Sequence, residues 1–167
     1  MLIVRPERPF DFDVIDGVVR DAFDGETEVR LVRQIRANDG YVPGFSLVAD
    51  DMGEVVGHIM LSYVHLGPRR VLQLSPLAVK TDRQNEGVGD ALSRDAIMRA
   101  DEALEPLVLV LGHPDYYPRF GFVPARSLGI EPPDEAITDG PWMALKLANY
   151  DPALTGRVDF GPAFILD

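Results

Sequence analysis

Leu77-Ala78-Val79-Lys80-Thr81-Asp82-Arg83-Gln84-Asn85-Glu86-Gly87-Val88-Gly89-Asp90-Ala91-Leu92 is the stretch around which the chain is organised. Its first three residues read as an apolar strand end, its middle as a polar turn, and its two glycines open a segment with helical periodicity. From Gly87 onward Val88, Ala91, Leu92, Ala96, Ala100 and Ala103 recur at helical spacing, and Arg94, Asp95, Arg99, Asp101 and Glu102 fall largely between them. One face is small and apolar, which predicts a helix lying close on a sheet. Gly87 and Gly89 lack Cβ atoms where the backbone must turn and where N–H groups could point outward together, the arrangement that holds phosphate at a helix N-terminus.

Spacing separates the phosphate loops that compete for this reading. A dinucleotide fingerprint needs a third small residue after G-x-G-x-x, and here Leu92 stands there. No G-x-x-x-x-G-K-[ST] run exists anywhere in the chain. The pattern that fits is Q-x-x-G-x-G, from Gln84 to Gly89. Downstream, Tyr117-Pro118-Arg119-Phe120-Gly121-Phe122 reads Y-x-x-x-G-F. Both motifs, in this order and separated by an apolar strand, resemble the GCN5-related N-acetyltransferases, over roughly Leu2 to Leu147. The wording G-H-P-D-Y-Y-P-R-F-G-F is similar to a bacterial branch of acetyltransferases of unassigned substrate.

Around these motifs the chain reads as one α/β (α+β) domain spanning 1–167. Leu2 to Arg5 is an opening strand. Two amphipathic helices follow, one striped by Phe12, Ile15, Val19 and Phe23, the other by Glu28, Leu31, Val32 and Ile35. Phe45–Ala49, Val55–Leu66 and Val71–Val79 form an antiparallel meander turned at Asp50-Asp51-Met52-Gly53 and Gly67-Pro68. Leu107 to Leu111 is five unbroken apolar residues, a strand buried on both faces and parallel to the one before the glycine helix. Asp115 to Arg119 leaves room for about one helical turn. Ala125–Gly140 reads as a loop, Trp142–Leu147 as the last strand, and Asp151–Asp167 carries little signal.

Pro76 stands inside the third meander strand, where it cannot donate to a ladder. The resemblance implies a mixed, mostly antiparallel central sheet whose parallel pair splays at this point, opening a gap for a pantetheine arm. An ordinary edge strand is the competing reading of the same proline.

Composition narrows the chemistry. The chain has 46% hydrophobic and 26% charged residues, no apolar run long enough to span a bilayer, and no secretory pattern at its start, which places it in the cytoplasm with no membrane partner. Zero cysteines exclude a thiol nucleophile and Cys-based metal sites, and His58, His65 and His113 lack metal-ligand spacing, so no metal is expected. A net charge of −11 opposes nucleic-acid binding and suits a cationic amine.

The resemblance then implies a function: acetyl-CoA as co-substrate, with its acetyl group moved to a primary amine of a small molecule or protein. Main-chain groups at Leu77, Ala78 and Val79 would hold the pantetheine amides, and Gln84, Asn85, Glu86, Gly87, Val88, Gly89 and Asp90 would cradle the diphosphate. Tyr117 carries over as the acid for the leaving thiolate; a phenol of pKa ~10 protonating a thiolate whose acid has pKa ~8.5 is uphill by only ~2 kcal/mol. For the base Glu28 is preferred, with Glu26, His113 and Asp115 as rivals. Two features depart from the family: Asn85 and Glu86 replace a glycine and a basic residue, and Asp90 puts a second carboxylate beside the expected diphosphate. They motivate the alternative, a non-catalytic acyl-CoA-binding or sensing module on the same fold. The open sheet edge and C-terminal segment permit a homodimer.

Overall fold

Met52 and Gly53, at φ of 53° and 95°, turn β2 (Tyr41–Asp51) back into β3 (Glu54–Leu66). Gly67, at φ 60°, helps turn β3 into β4 (Arg69–Val79). With β1 (Leu2–Pro6) on the outer edge of β2, these strands form the expected meander. The computed structural model describes residues 1–166, so the last residue of the expected 1–167 domain lies outside it.

Helices α1 (Phe12–Phe23) and α2 (Thr27–Arg36) connect β1 to β2. Beyond β4 come α3 (Val88–Glu102), β5 (Leu107–Leu111), β6 (Val123–Pro124), β7 (Ile130–Glu131), β8 (Trp142–Lys146) and β9 (Gly156–Asp159). The sheet runs β1-β2-β3-β4-β5-β8-β6, with β4 and β5 parallel and its other neighbours antiparallel. It is a mixed α/β architecture with flanking helices, as the sequence predicted.

The parallel pair is short. Only Leu72↔Val108, Gln73↔Leu109 and Leu74↔Val110 face each other across β4 and β5. Past Leu74, β4 stays with β3 through one extra residue, since Leu61 pairs with Leu74 and Ile59 with Leu77. Pro76, preceded by a cis peptide bond, sits within that bulge. The strands therefore part where the proline stands, and β4 is an interior strand rather than an edge.

Helix α3 covers one face of the sheet. Val88, Leu92, Ala96 and Ala100 are buried there with Leu61, Leu72, Val108 and Met143. The approach is close enough that a Cβ on Gly57 would lie 2.8 Å from Leu92 Cδ1 and 2.9 Å from Val88 Cγ1. On the opposite face lie two apolar groups. One packs Ile15, Val19, Val29, Val32 and Ile35 of α1 and α2 onto Val48, Met60 and Ala78; the other joins Val64, Leu107, Leu109 and Trp142 to Leu154 and Val158. The buried stripe of α2 is Val29, Val32 and Ile35, so Glu28 stands beside the inner face, half-buried.

The C-terminal third holds more order than its sequence suggested. Within 125–140 a 3-10 turn (Ala125–Leu128) precedes β7, and β7 pairs in parallel with β9. Strand β9 adds to β3 at His65↔Asp159 and Leu66↔Val158, so β8 is not the last strand. A 3-10 turn at Pro162–Phe164 then docks on α2, where Gln34 Nε2 donates to the carbonyls of Ala163 (3.2 Å) and Ile165 (2.9 Å).

One buried polar cluster ties β1 to the helices. Glu7 accepts from Arg36 through both carboxylate oxygens (2.8 and 2.9 Å), from the Tyr41 hydroxyl (2.6 Å) and from His58 Nε2 (3.2 Å), which also lies 3.1 Å from Ser46 Oγ. Full burial keeps His58 neutral, so its proton sits on Nε2 facing the carboxylate.

Candidate active site

Where β4 and β5 separate, a cleft of about 540 Å³ opens between the start of α3, the end of α1 and the turn after β5. Leu77 and Val79 line it from β4, Gln84, Asn85, Gly87, Val88, Gly89 and Asp90 from the glycine loop, and Tyr116, Tyr117 and Arg119 from the far wall. The Ala78 side chain points to the opposite face and is buried under α1 and α2, so what Ala78 offers the gap is main chain. Glu86 is absent from the lining; it faces outward, within 3.4 Å of Arg83 Nε.

The loop has the backbone of an anion cradle. Asn85 (φ 64°) and Gly87 (φ 85°) are both left-handed, and Gly87 caps α3. N–H groups of the first turn, Val88 to Asp90, lack carbonyl partners within the helix and carry the positive end of its dipole. At Gly89 an added Cβ would lie 3.1 Å from the Tyr116 hydroxyl, so a side chain there would narrow the cleft. Gln84 braces the loop through Nε2 to Val79 O (3.2 Å). Thr81 N donates to Asp21 Oδ2 (2.8 Å), tethering the loop to α1.

Asp90 has partners where it stands. Its Oδ1 accepts the Tyr116 hydroxyl at 2.8 Å and lies 3.6 Å from Arg119, whose guanidinium stacks 4.3 Å above the Tyr116 ring. Burial, together with the bond to Asp90, pushes the Tyr116 phenol up to about 12. Arg83 and Arg119 both line the cleft, each with a carboxylate partner, Arg83 with Asp51 (2.8 Å) and Arg119 with Asp90, so in a chain of net charge −11 two guanidinium groups stand at this opening.

Tyr117 opens the 3-10 turn Tyr117–Phe120 and is 7% exposed. Its ring meets Tyr116 and Phe122 edge-on at 5.0 and 5.5 Å. Gly112 makes room for it, since a Cβ there would lie 2.5 Å from Tyr117 Cε2. Burial, reinforced by Tyr116, holds its phenol well above the usual value, so the hydroxyl keeps its proton across the neutral range.

Of the expected bases, His113 lines the cleft, whereas Glu28, Glu26 and Asp115 do not. Glu26 is paired with Arg20 on the surface. The sequence assigns no site role to Phe23, Arg83 and Arg119, which line the cleft, or to Gly112, for which the G-H-P break after the apolar strand is the available signal.

A family model described as the acetyltransferase (GNAT) family matches residues 15–122. The chain belongs to this family. Two Escherichia coli K12 family relatives, both named as uncharacterized N-acetyltransferases, are YhbS, 30% identical over 72% of this chain and 73% of its own, and YjhQ, 32% identical over 89% and 86%. The crystal structure of E. coli YhbS in complex with CoA superposes with a TM-score of 0.89 at 27% identity, covering 98% of this chain and 91% of that one. A GNAT acetyltransferase from Brucella melitensis in complex with acetyl-CoA gives 0.81 at 29% identity, covering 99% of both.

Proposed function

We propose that this chain transfers the acetyl group of acetyl-CoA to a primary amine, with Tyr117 donating a proton to the departing thiolate. The observation that carries this is the coincidence of three features in one cleft: the edge of β4 left unpaired by β5 past Leu74, the first-turn N–H groups of Val88 to Asp90, and a buried tyrosine opposite them.

Each feature has a task. The free edge at Leu77 to Val79 offers main-chain donors and acceptors to the pantetheine amides. The first turn of α3 takes the diphosphate, with Arg83 and Arg119 adding positive charge. As the amine nitrogen bonds to the acyl carbon, the C–S bond breaks and its electron pair stays on sulfur. Tyr117 supplies the proton that makes this sulfur a thiol, and the nitrogen loses its own proton to water at the open end lined by His113. The tyrosine is reprotonated by solvent. The same dry surroundings that raise the phenol also raise a thiol beside it, so the proton transfer stays close to its small cost in water.

Catalysis is favoured over a silent binding module because Asp90 is engaged by Tyr116 and Arg119 and Glu86 turns away from the cleft. The test is acetylation of an amine panel together with calorimetry of acetyl-CoA. Tyr117→Phe should bind acetyl-CoA as the wild type does and lose about 10²-fold in kcat. Unchanged kcat would remove Tyr117 as the acid, and tight binding without turnover in the wild type would favour the sensing module.

A further inference from the structure

Asp90 is an awkward residue for an anion-binding turn, and its side chain does not do what its position invites. With Gly87 as the N-cap of α3, Asp90 is the third helical residue. An acidic side chain there can reach back to the N-cap amide, gaining a hydrogen bond and a favourable place in the helix dipole. Asp11 does so at the 3-10 turn Pro9–Asp11: it stands three residues after the N-cap Arg8, and its Oδ2 accepts Arg8 N at 2.8 Å. Asp90 has the same place relative to Gly87. Among the described residues, however, no bond runs back from Gly87 N to its carboxylate, and Oδ1 accepts the Tyr116 hydroxyl at 2.8 Å instead.

Tyr116 is fixed where it can reach that carboxylate. Its ring meets Tyr117 and Phe120 edge-on at 5.0 and 5.4 Å, and the Arg119 guanidinium stacks on it at 4.3 Å while Arg119 Nε donates to the Tyr116 carbonyl at 2.9 Å. The hydroxyl comes so near the first turn of α3 that a Cβ on Gly89 would lie 3.1 Å from it. A second helical residue without a side chain therefore lets the phenol reach past it to Asp90.

We propose that Tyr116 is a positioning residue: by engaging the Asp90 carboxylate it keeps the first-turn N–H groups of α3 open for the diphosphate of the donor. This rests on the acetyl transfer proposed above. Two anions cannot share one cradle. A carboxylate folded back onto Gly87 would occupy a donor that the diphosphate needs and set like charge against it. Turned aside onto a phenol, it leaves both the donor and the space. Arg119, 3.6 Å from Asp90 Oδ1, pulls the carboxylate the same way. Tyr116 thus acts through Asp90, not on the reacting atoms.

A double-mutant cycle read by calorimetry with acetyl-CoA tests this. Tyr116→Phe keeps the ring and removes the hydroxyl, so Kd should rise about tenfold as Asp90 swings back onto the turn. Asp90→Ala removes the competing carboxylate and should bind acetyl-CoA at least as tightly as the wild type. Adding Tyr116→Phe to Asp90→Ala should then change nothing, a rescue that a mere packing role for Tyr116 would not give. Crystals of Tyr116→Phe grown without ligand should show the Asp90 carboxylate accepting from Gly87 N. An unchanged Kd in Tyr116→Phe, a tenfold loss that persists in the double variant, or a carboxylate still turned away from Gly87 in those crystals would each overturn the inference. A wild type that fails to bind acetyl-CoA would instead remove the proposed function, and the Tyr116→Phe crystals would still decide whether the hydroxyl restrains Asp90.

Discussion

Glu7 shows how much one side chain can hold together. Burial alone would raise its carboxyl, but the two bonds from Arg36 and the one from His58 outweigh it and keep the group well below the carboxylate range. Removing one partner of such a pair leaves the other charge without compensation, so Glu7→Gln should lower unfolding free energy by about 3–5 kcal/mol in urea titrations. The pH dependence has a definite sign. Because the native pKa lies below the unfolded value of 4.5, Glu7 stabilises fully above that pH and its contribution fades as pH falls toward the native value. His58 adds an earlier loss, since the unfolded chain takes up a proton below 6.5 that the buried neutral imidazole refuses. Wild-type stability should thus start to fall below about pH 6.5 and drop more steeply under pH 4.5, with the second phase smaller in Glu7→Gln, where Asp11, lowered by Arg5, still contributes. Nothing in the sequence announced this cluster, because Glu7, Arg36, Tyr41, Ser46 and His58 meet only through the sheet.

At the scale of elements, glycines set how near things come. Gly57 lets α3 rest on β3, and Gly112 lets the Tyr117 ring lie against the chain after β5. Gly57→Val should cost about 1–3 kcal/mol by forcing the helix outward, and it should also weaken acetyl-CoA binding, because the cradle is the first turn of that helix. Gly112→Ala should cost about 1–3 kcal/mol of stability and lower kcat with little change in acetyl-CoA affinity, since the new Cβ would push the buried Tyr117 ring out of its packing. Comparing calorimetry with turnover separates the two effects. The meander, α3 and β5 were legible because each has an unbroken periodicity bounded by turn residues. On α2 the stripe was misplaced by one position: Val29, not Glu28, faces inward, since Val29, Val32 and Ile35 fit the helical period equally well. The short pairings of β6, β7 and β9 were invisible because two- to four-residue strands carry no periodicity to detect.

Over the whole molecule, an acidic protein sets two arginines at its cleft. With net charge −11 overall and Arg83 and Arg119 at the cleft, acetyl-CoA should bind less tightly as ionic strength rises, an effect readable by calorimetry between 50 mM and 500 mM salt. Composition alone pointed only to the first half of that balance. Which carboxylates turn away and which find partners in the cleft depends on side-chain geometry, as Glu86 and Asp90 show.

The parting of β4 from β5 reaches beyond chemistry to handling. A strand with one side unclaimed is an incomplete sheet, and a bound pantetheine arm would stand in for the missing neighbour. Ligand at a hundredfold its Kd would add about 2.7 kcal/mol to the folded state, and the amides of Leu77, Ala78 and Val79 would then exchange with deuterium more slowly. Preparations stripped of ligand would expose that raw seam to other chains, so adding CoA during purification should raise the yield of well-behaved protein.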